Sequence, residues 1–92
     1  MTSPKSYKLL DHVSFTQVDD EAVLLNLESG NYFGLNHVGS VLINAFQEDH
    51  TLEGAVELIS KQYKTDASLV LADVNALVEQ LLQHNLVELR DS

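Results

Sequence analysis

The chain has 92 residues, no cysteine and a formal net charge of −9, from five Lys and Arg against fourteen Asp and Glu. This length allows one small domain with a thin core, and the lack of thiols excludes disulfides, zinc–thiolate sites and thiol chemistry. The negative charge repels phosphate backbones and anionic lipids, so we expect neither nucleic acid nor a membrane as a partner. The charge either serves solubility alone or indicates a preference for a basic or neutral partner. No apolar run approaches the roughly 20 residues that cross a bilayer, and the start has no signal-peptide core, which indicates a cytoplasmic protein.

The first half of the chain predicts a small antiparallel sheet. Residues 1–12 are expected to form a flexible arm, and residues 13–90 the folded domain. Short segments rich in β-branched and apolar residues, separated by the polar turns "VDDE" and "ESG", are typical of strands. They predict three strands at about 13–18, 22–27 and 31–35.

The second turn predicts how the last two strands pair. We expect Gly30 to adopt a positive φ in a bulged turn, which would set Leu27 opposite Asn31 and Leu25 opposite Phe33. A shift of one residue would turn every side chain to the other face, so the apolar pattern favours this register. The apolar face would then consist of Val23, Leu25, Leu27, Phe33 and Leu35.

Three helices are predicted after the strands, each beginning at a capping residue. Asn36, Thr51 and Asp66 have side chains that accept hydrogen bonds from the first helical turn. Gly39 lowers helix propensity and therefore indicates close packing on the sheet, and Asn85 is suited to a left-handed stop. The tail at 86–89 can pack or pair. The helices are expected at about 37–48, 52–63 and 67–84.

The third helix is apolar over a wide arc. At about 100° per residue, its apolar side chains cover roughly 140°, which exceeds the stripe of a little over 100° that packing on one surface requires. The excess predicts either a well-buried helix or a second surface on it. The arc contains Val70, Leu71, Val74, Leu77, Val78, Leu81 and Leu82.

No residue pattern indicates catalysis. The histidines at 12, 37, 50 and 84 are scattered and lack the spacing of metal ligands. No nucleophile, base and orienting group can be assembled into one site. We therefore expect no enzyme activity, no catalytic residues, no metal and no cofactor.

The sequence disfavours two other binding functions. Ser40 in "VGSVL" is similar to the prosthetic-group serine of an acyl carrier protein, but carriers place that serine after a first helix, whereas strands precede Ser40. Strands packed with a long third helix are also typical of winged-helix DNA binders. That function is disfavoured because residues 66–84 contain neither Lys nor Arg, which a recognition helix needs at phosphates and bases.

Three segments together resemble the PqqD-like proteins, the precursor-recognition elements of ribosomally made, modified peptides. They are "VLLNLESGNYFGLNHVGSVL", "TLEGAVELISKQY" and "ADVNALVEQLLQHNLV", and the resemblance covers about residues 13–89. The strand-to-helix join at 30–36, with Gly39 after it, is most similar to stand-alone members of lasso-peptide pathways. Asn44, near where many members carry Trp, and Asn85, where Gly is usual, depart from the family pattern.

The resemblance implies a winged-helix-like α+β fold that binds a leader peptide. In the family, the leader segment lies as an extra strand beside the third strand, over a groove made with the third helix. In the register above, Tyr32 and Gly34 direct their backbone groups toward it, and Asp73 is placed to meet a basic or hydroxyl group. The residues expected to bind the leader are Asn31, Tyr32, Phe33, Gly34, Leu35, Leu69, Val70, Asp73, Val74 and Leu77.

The resemblance also implies the partners. A lasso-peptide member would bind the leader of its precursor and deliver it to a separate leader peptidase or other maturation enzyme. One alternative is the same module serving a radical-SAM enzyme, as in quinone-cofactor biosynthesis. Another is an interaction domain whose sheet edge mediates only self-association.

Overall fold

The fold is α+β, with a three-stranded antiparallel sheet followed by three helices, as the sequence predicts. The computed structural model describes residues 6–90. None of the helices in that range is both long and apolar enough to cross a membrane. The elements are β1 (Ser6–Leu9), β2 (Val13–Val18), β3 (Glu21–Asn26), β4 (Tyr32–Leu35), α1 (His37–Gln47), α2 (Leu52–Tyr63), α3 (Ala67–Gln83) and β5 (Val87–Arg90).

The N-terminal segment differs from the flexible arm that was predicted over residues 1–12. Residues 1–5 lie outside the described part of the chain, but Ser6–Leu9 form β1 and pair antiparallel with β5. Tyr7 is buried, and its ring lies 5.4 Å from that of Phe46 in α1. One buried aromatic side chain and pairing with a strand at the far end of the chain hold this segment in place. The C-terminal tail, which was expected either to pack or to pair, therefore pairs with β1.

The pairing of β3 with β4 differs from the prediction by one residue. Leu24 lies opposite Phe33, and Ala22 lies opposite Leu35. The core face of β3 therefore carries Ala22 and Leu24, both buried, whereas Val23 and Leu25 point to the other face. Val23, Leu25 and Leu27 do not share a face with Phe33 and Leu35, as the predicted register required.

The loop between these strands explains the shift. Asn26 accepts hydrogen bonds at Oδ1 from the backbone N–H groups of Glu28 (2.9 Å) and Ser29 (3.2 Å). Its carbonyl accepts from the N–H of Gly30 at 2.8 Å, so the turn begins one residue earlier than predicted. Leu27 is left in the loop, 63% exposed. Gly30 has φ +81°, so its predicted positive φ is confirmed.

The helix ends follow the sequence closely. Asn36, Thr51 and Asp66 each accept a backbone hydrogen bond from the first turn, which confirms the three predicted caps. Asn85 has φ 56°, and the N–H of Leu86 donates to the Leu81 carbonyl at 3.0 Å, as in a Schellman ending. This turn directs the chain from α3 into β5.

The core lies between the sheet and the helices, with α1 against β3 and β4. A Cβ atom on Gly39 would lie 3.0 Å from Leu35 Cδ2 and 3.3 Å from Leu77 Cδ2, which confirms the close packing predicted there. Ser40 is buried and donates to Gln17 Oε1 at 2.9 Å, so its hydroxyl joins α1 to β2. A buried, hydrogen-bonded serine is unsuited to carry a prosthetic group.

Candidate functional site

One edge of the three-stranded sheet carries the candidate site. The strand order is β2-β3-β4, and within residues 6–90 no strand pairs with the outer edge of β4. The N–H of Asn26 donates to the Asn31 carbonyl at 2.8 Å. Hydrogen-bonded pairs alternate in an antiparallel ladder, so Phe33 and Leu35 bond to β3. The backbone groups of Tyr32 and Gly34 therefore point outward from the sheet.

Helix α3 forms the opposite wall of a groove along this edge. A cavity of about 380 Å³ lies between the second half of β4 and α3. Leu77 is half-buried at its base, and Asp73 is exposed at its rim. The cavity is lined by Phe33, Gly34, Leu35, Asn36, Val38, Asp73, Leu77 and Gln80.

A second cavity, of about 370 Å³, continues the groove toward the hairpin loop. Phe33 lines both cavities and lies between them. Its ring faces that of His84, with centroids 5.5 Å apart and planes inclined by 54°. The second cavity is lined by Asn26, Ser29, Gly30, Asn31, Tyr32, Phe33, His84 and Leu86. We call the two cavities together the β4–α3 groove.

The β4–α3 groove fits an extended segment of peptide. An added strand would bond to the outward backbone groups of β4, and every second side chain would point into the groove. Two such side chains lie about 7 Å apart along the strand, so more than one can enter the groove. The described residues that line the groove include Asp73 and no Lys or Arg. The groove therefore favours apolar, hydroxyl or basic side chains over acidic ones.

The structure brings together most of the residues predicted to bind a leader. Asn31 to Leu35 line the groove along β4, and Asp73 and Leu77 line it along α3. Val70 and Val74 require correction, because they are 6% and 0% exposed and belong to the core. Leu69 is 64% exposed and lies outside both cavities.

Several lining residues were not predicted from the sequence, of which Gln80 and His84 are the most informative. Both lie on the face of α3 that already carries Asp73 and Leu77, at spacings of three, four and seven residues. Extending that face by two turns would have found them. They were missed because only the first half of the helix was considered. The other missed lining residues are Asn26, Ser29, Gly30, Asn36, Val38 and Leu86.

The described residues contain no cluster of three His, Asp or Glu side chains that could hold a metal ion. Among residues 6–90, the groove is lined by one carboxylate, one imidazole and several amides and hydroxyls. Their arrangement suits hydrogen bonding and packing with a bound peptide.

Three comparisons with known proteins bear on this site. The family model described as Coenzyme PQQ synthesis protein D (PqqD) matches residues 21–87. The solved structure of TbiB1 in complex with the TbiA(beta) leader peptide is similar with a TM-score of 0.82 and 36% identity, over 88% of this chain and 94% of that chain. Lasso peptide synthetase B1 complexed with the leader peptide has a TM-score of 0.82 and 23% identity, over 90% and 98%, and shows the fold alone. The comparison with curated sequences gives no match.

Proposed function

Since this chain belongs to the PqqD family, we propose that it is a non-catalytic adaptor for a ribosomally made precursor peptide. It binds the leader segment of that precursor in the cytoplasm and presents the peptide to a maturation enzyme. The pathway is that of a lasso peptide. Leader binding is supported by the 36% identity to TbiB1, a protein whose structure is of a complex with a leader peptide. The choice of a lasso peptide rests on the strand-to-helix join at residues 30–36.

The observation that carries the proposal is the free edge of β4 beside the β4–α3 groove. Tyr32 and Gly34 offer outward backbone donors and acceptors, and Gly34 has nothing within 4 Å of the position a Cβ would occupy. A leader strand can therefore approach the backbone closely. Strand addition supplies affinity through the main chain, and the two cavities supply selectivity for side chains.

The proposed leader site differs from the site predicted from sequence in its α3 residues. Asp73, Leu77, Gln80 and His84 contact the leader from the helix, while Val70 and Val74 support that face from the core. Asp73 meets a basic or hydroxyl group, since it is the only carboxylate among the described residues that line the groove.

Delivery to the maturation enzyme, a leader peptidase in this pathway, works by proximity. A leader held on the adaptor raises the effective concentration of the cleavage site near a bound peptidase. The alternative recipient is a radical-SAM enzyme, which the family's description as a coenzyme synthesis protein favours. The identity of the precursor that binds distinguishes the two pathways.

The test is a titration of a fluorescently labelled leader peptide, taken from the precursor encoded beside this chain, followed by anisotropy. We expect saturable binding to the monomer, with modest salt dependence because strand pairing and apolar contacts carry the affinity. Loss of affinity by orders of magnitude at high salt would contradict the groove. Binding to duplex DNA at physiological salt, or self-association without leader binding, would contradict the adaptor function.

A further inference from the structure

The turn between β1 and β2 contacts two other loops of the molecule through its last residue, His12. The side chain of His12 is 24% exposed. Its Nε2 atom lies 3.2 Å from the carbonyl oxygen of Asn85, in the turn between α3 and β5. Its own carbonyl accepts a hydrogen bond at 2.7 Å from the N–H of Leu27, in the loop between β3 and β4. One residue therefore joins three connections that are far apart in the chain.

Two of these connections form the walls of the second cavity of the β4–α3 groove. We call them the hairpin loop (residues 27–31) and the α3–β5 turn (residues 84–86). Among the hydrogen bonds of residues 6–90, none joins the hairpin loop directly to the α3–β5 turn. The two walls are therefore connected through the β1–β2 turn. The lining residues that they contribute are Ser29, Gly30 and Asn31 from the loop and His84 and Leu86 from the turn.

Each wall is held at only a few points. Within the hairpin loop, Asn26 Oδ1 accepts hydrogen bonds from two loop N–H groups at 2.9 and 3.2 Å, and Ser29 Oγ accepts one from the N–H of Asn31 at 3.2 Å. The α3–β5 turn is held at Leu86, whose carbonyl accepts from the N–H of Leu10 at 3.1 Å. Because each wall is short and tied in this way, one hydrogen bond to it positions several lining residues together.

The contact with Asn85 requires a hydrogen on one particular atom of the His12 ring. A backbone carbonyl can only accept, so Nε2 must carry the hydrogen and donate it to Asn85. The other ring nitrogen, Nδ1, lies 4.0 Å from the carboxylate of Glu28, which is too long for a hydrogen bond, and Glu28 is 76% exposed. The Nε2 donor is therefore the part of the side chain that holds the α3–β5 turn.

We propose that His12 is a positioning residue of the leader site, which acts by holding the hairpin loop and the α3–β5 turn at a fixed separation. This inference rests on the proposed adaptor function and adds a residue outside the groove on which leader binding depends. His12 lines neither cavity, so it acts through the walls and not on the leader. Walls that are already fixed need no ordering when the leader binds, so less conformational entropy is lost and the affinity is higher.

The first measurement compares two replacements of His12 by anisotropy of the labelled leader peptide. His12→Gln keeps a nitrogen donor close to the position of Nε2, whereas His12→Leu keeps a similar bulk without a donor. We expect His12→Leu to bind the leader about tenfold more weakly, and His12→Gln to bind within about threefold of the wild type. His50→Leu is the matched control, because it makes the same change at an exposed histidine outside the groove, and it should bind normally.

Double variants locate the loss of affinity in the second cavity. His84 lines that cavity, whereas Asp73 lines the first one. In a His84→Ala background, His12→Leu should weaken leader binding less than about threefold, because the wall that His12 positions has already lost its ring. In an Asp73→Asn background, the same change should still weaken binding about tenfold. A general loss of stability would have the same effect in both backgrounds.

The wild type provides a test that needs no substitution. Long-range proton–nitrogen correlation NMR spectra show which ring nitrogen carries the hydrogen, at about pH 8, where a free imidazole is neutral. We expect the hydrogen of His12 on Nε2. A hydrogen on Nδ1 would overturn the proposal, because Nε2 could not then donate to Asn85. If His12→Leu does not fold, this spectrum and the leader affinity of His12→Gln decide the matter.

The positioning role is overturned if His12→Leu binds the leader normally, if His12→Gln binds as weakly as His12→Leu, or if His50→Leu loses affinity equally. It is also overturned if His12→Leu causes the same loss in the two double-variant backgrounds. A lower melting temperature of His12→Leu with unchanged leader affinity would assign His12 to the stability of the fold alone. In each of these cases the wild type binds the leader and the adaptor function stands. If the wild type itself does not bind the leader, the adaptor function fails, and the positioning role falls with it.

Discussion

Phe33 and His84 face each other across the β4–α3 groove, with ring centroids 5.5 Å apart. The contact joins β4 to the C-cap of α3, and both rings line the cavity toward the hairpin loop. Phe33 is half-buried and His84 is exposed, so the histidine is the member that a bound peptide can contact. His84 therefore helps to shape the groove, and folding does not require its side chain.

Replacing His84 by Ala is expected to weaken leader binding more than it lowers stability. The change removes an aromatic wall of the second cavity and one hydrogen-bonding group, so leader affinity should fall about tenfold, or roughly 1.4 kcal/mol. The melting temperature should change little because the side chain is exposed. His50→Ala is the control, since it removes an exposed histidine outside the groove. Equal leader affinity of both variants and the wild type would remove His84 from the site.

Substitutions at two α3 residues distinguish the groove side of the helix from its core side. Val74 is 0% exposed, so Val74→Ser should destabilise the fold by about 2–4 kcal/mol, through a cavity and a buried hydroxyl. Leu77 is half-buried and lines the groove, so Leu77→Ser should cost less stability and more leader affinity. Thermal melts and anisotropy titrations measure the two effects. The assignment of Leu77 to the groove fails if Leu77→Ser unfolds the domain as readily as Val74→Ser.

The helix bounds were predictable because the signals that set them are local. Asn36, Thr51, Asp66 and Asn85 act on backbone groups within a few residues, so their positions alone predicted where each helix begins or ends. Residues on the exposed side of α3, such as Gln80, are also predictable in principle from helical spacing.

The strand register was not predictable in the same way. Leu27 is apolar and so was predicted to lie on the apolar face of the sheet, whereas the side chain of Asn26 fixes the loop and leaves Leu27 exposed. Both faces of β3 carry apolar side chains, so the apolar pattern favoured a register that differs by one residue from the observed one. The predicted outward direction of the Tyr32 and Gly34 backbone groups still holds, because the register shift moves β3 and leaves the alternation along β4 unchanged.

Pairing between segments far apart in the chain was the other feature that the sequence could not predict. Nothing local indicates that Tyr7 becomes buried against Phe46, because that depends on β5 pairing from the far end of the chain. The role of Asn44, where the sequence departs from the family pattern, was unpredictable for a similar reason. Its side chain donates to Gln17 Oε1 at 3.2 Å and so joins α1 to β2, a contact that depends on the tertiary fold.

The cap of α3 makes stability depend on pH. The backbone N–H of Ser68 and then its hydroxyl donate hydrogen bonds to Asp66 and hold the pKa of that carboxyl below its usual value of 3.8. Between the folded and unfolded pKa values the unfolded chain binds more protons, so stability rises with pH in that window. The contribution is complete above the unfolded value and is lost as the pH falls through the folded one.

Asp66→Asn tests this dependence, because Asn caps a helix without a carboxylate. The difference in unfolding free energy between the wild type and Asp66→Asn should be constant above about pH 5 and should change only as the pH falls through the carboxyl range. Urea titrations at a series of pH values measure it. Parallel curves for the two proteins down to about pH 2 would show that the cap has no proton linkage.

The free edge of β4 is tested by Gly34→Pro. Proline has no N–H, and the N–H of Gly34 points away from β3, so the bond that is lost is one to the leader. A side chain at this position meets nothing within 4 Å, and Phe33 before it is already extended, as a residue before proline must be. The free protein should therefore stay folded. Losing the donor costs about 0.5–1.5 kcal/mol, and the ring obstructs an approaching strand, so leader affinity should fall at least about tenfold.

The matched control for Gly34→Pro is Phe33→Pro, one residue away. Its N–H bonds to β3 and its side chain packs against the core, so that variant should unfold. Circular dichroism follows folding, and anisotropy of the labelled leader follows binding. Normal leader binding by a folded Gly34→Pro variant would show that the leader does not add to this edge. Unfolding of Gly34→Pro together with a folded Phe33→Pro would show that the outward backbone groups belong to Phe33 and Leu35, and the leader would then need a different register on β4.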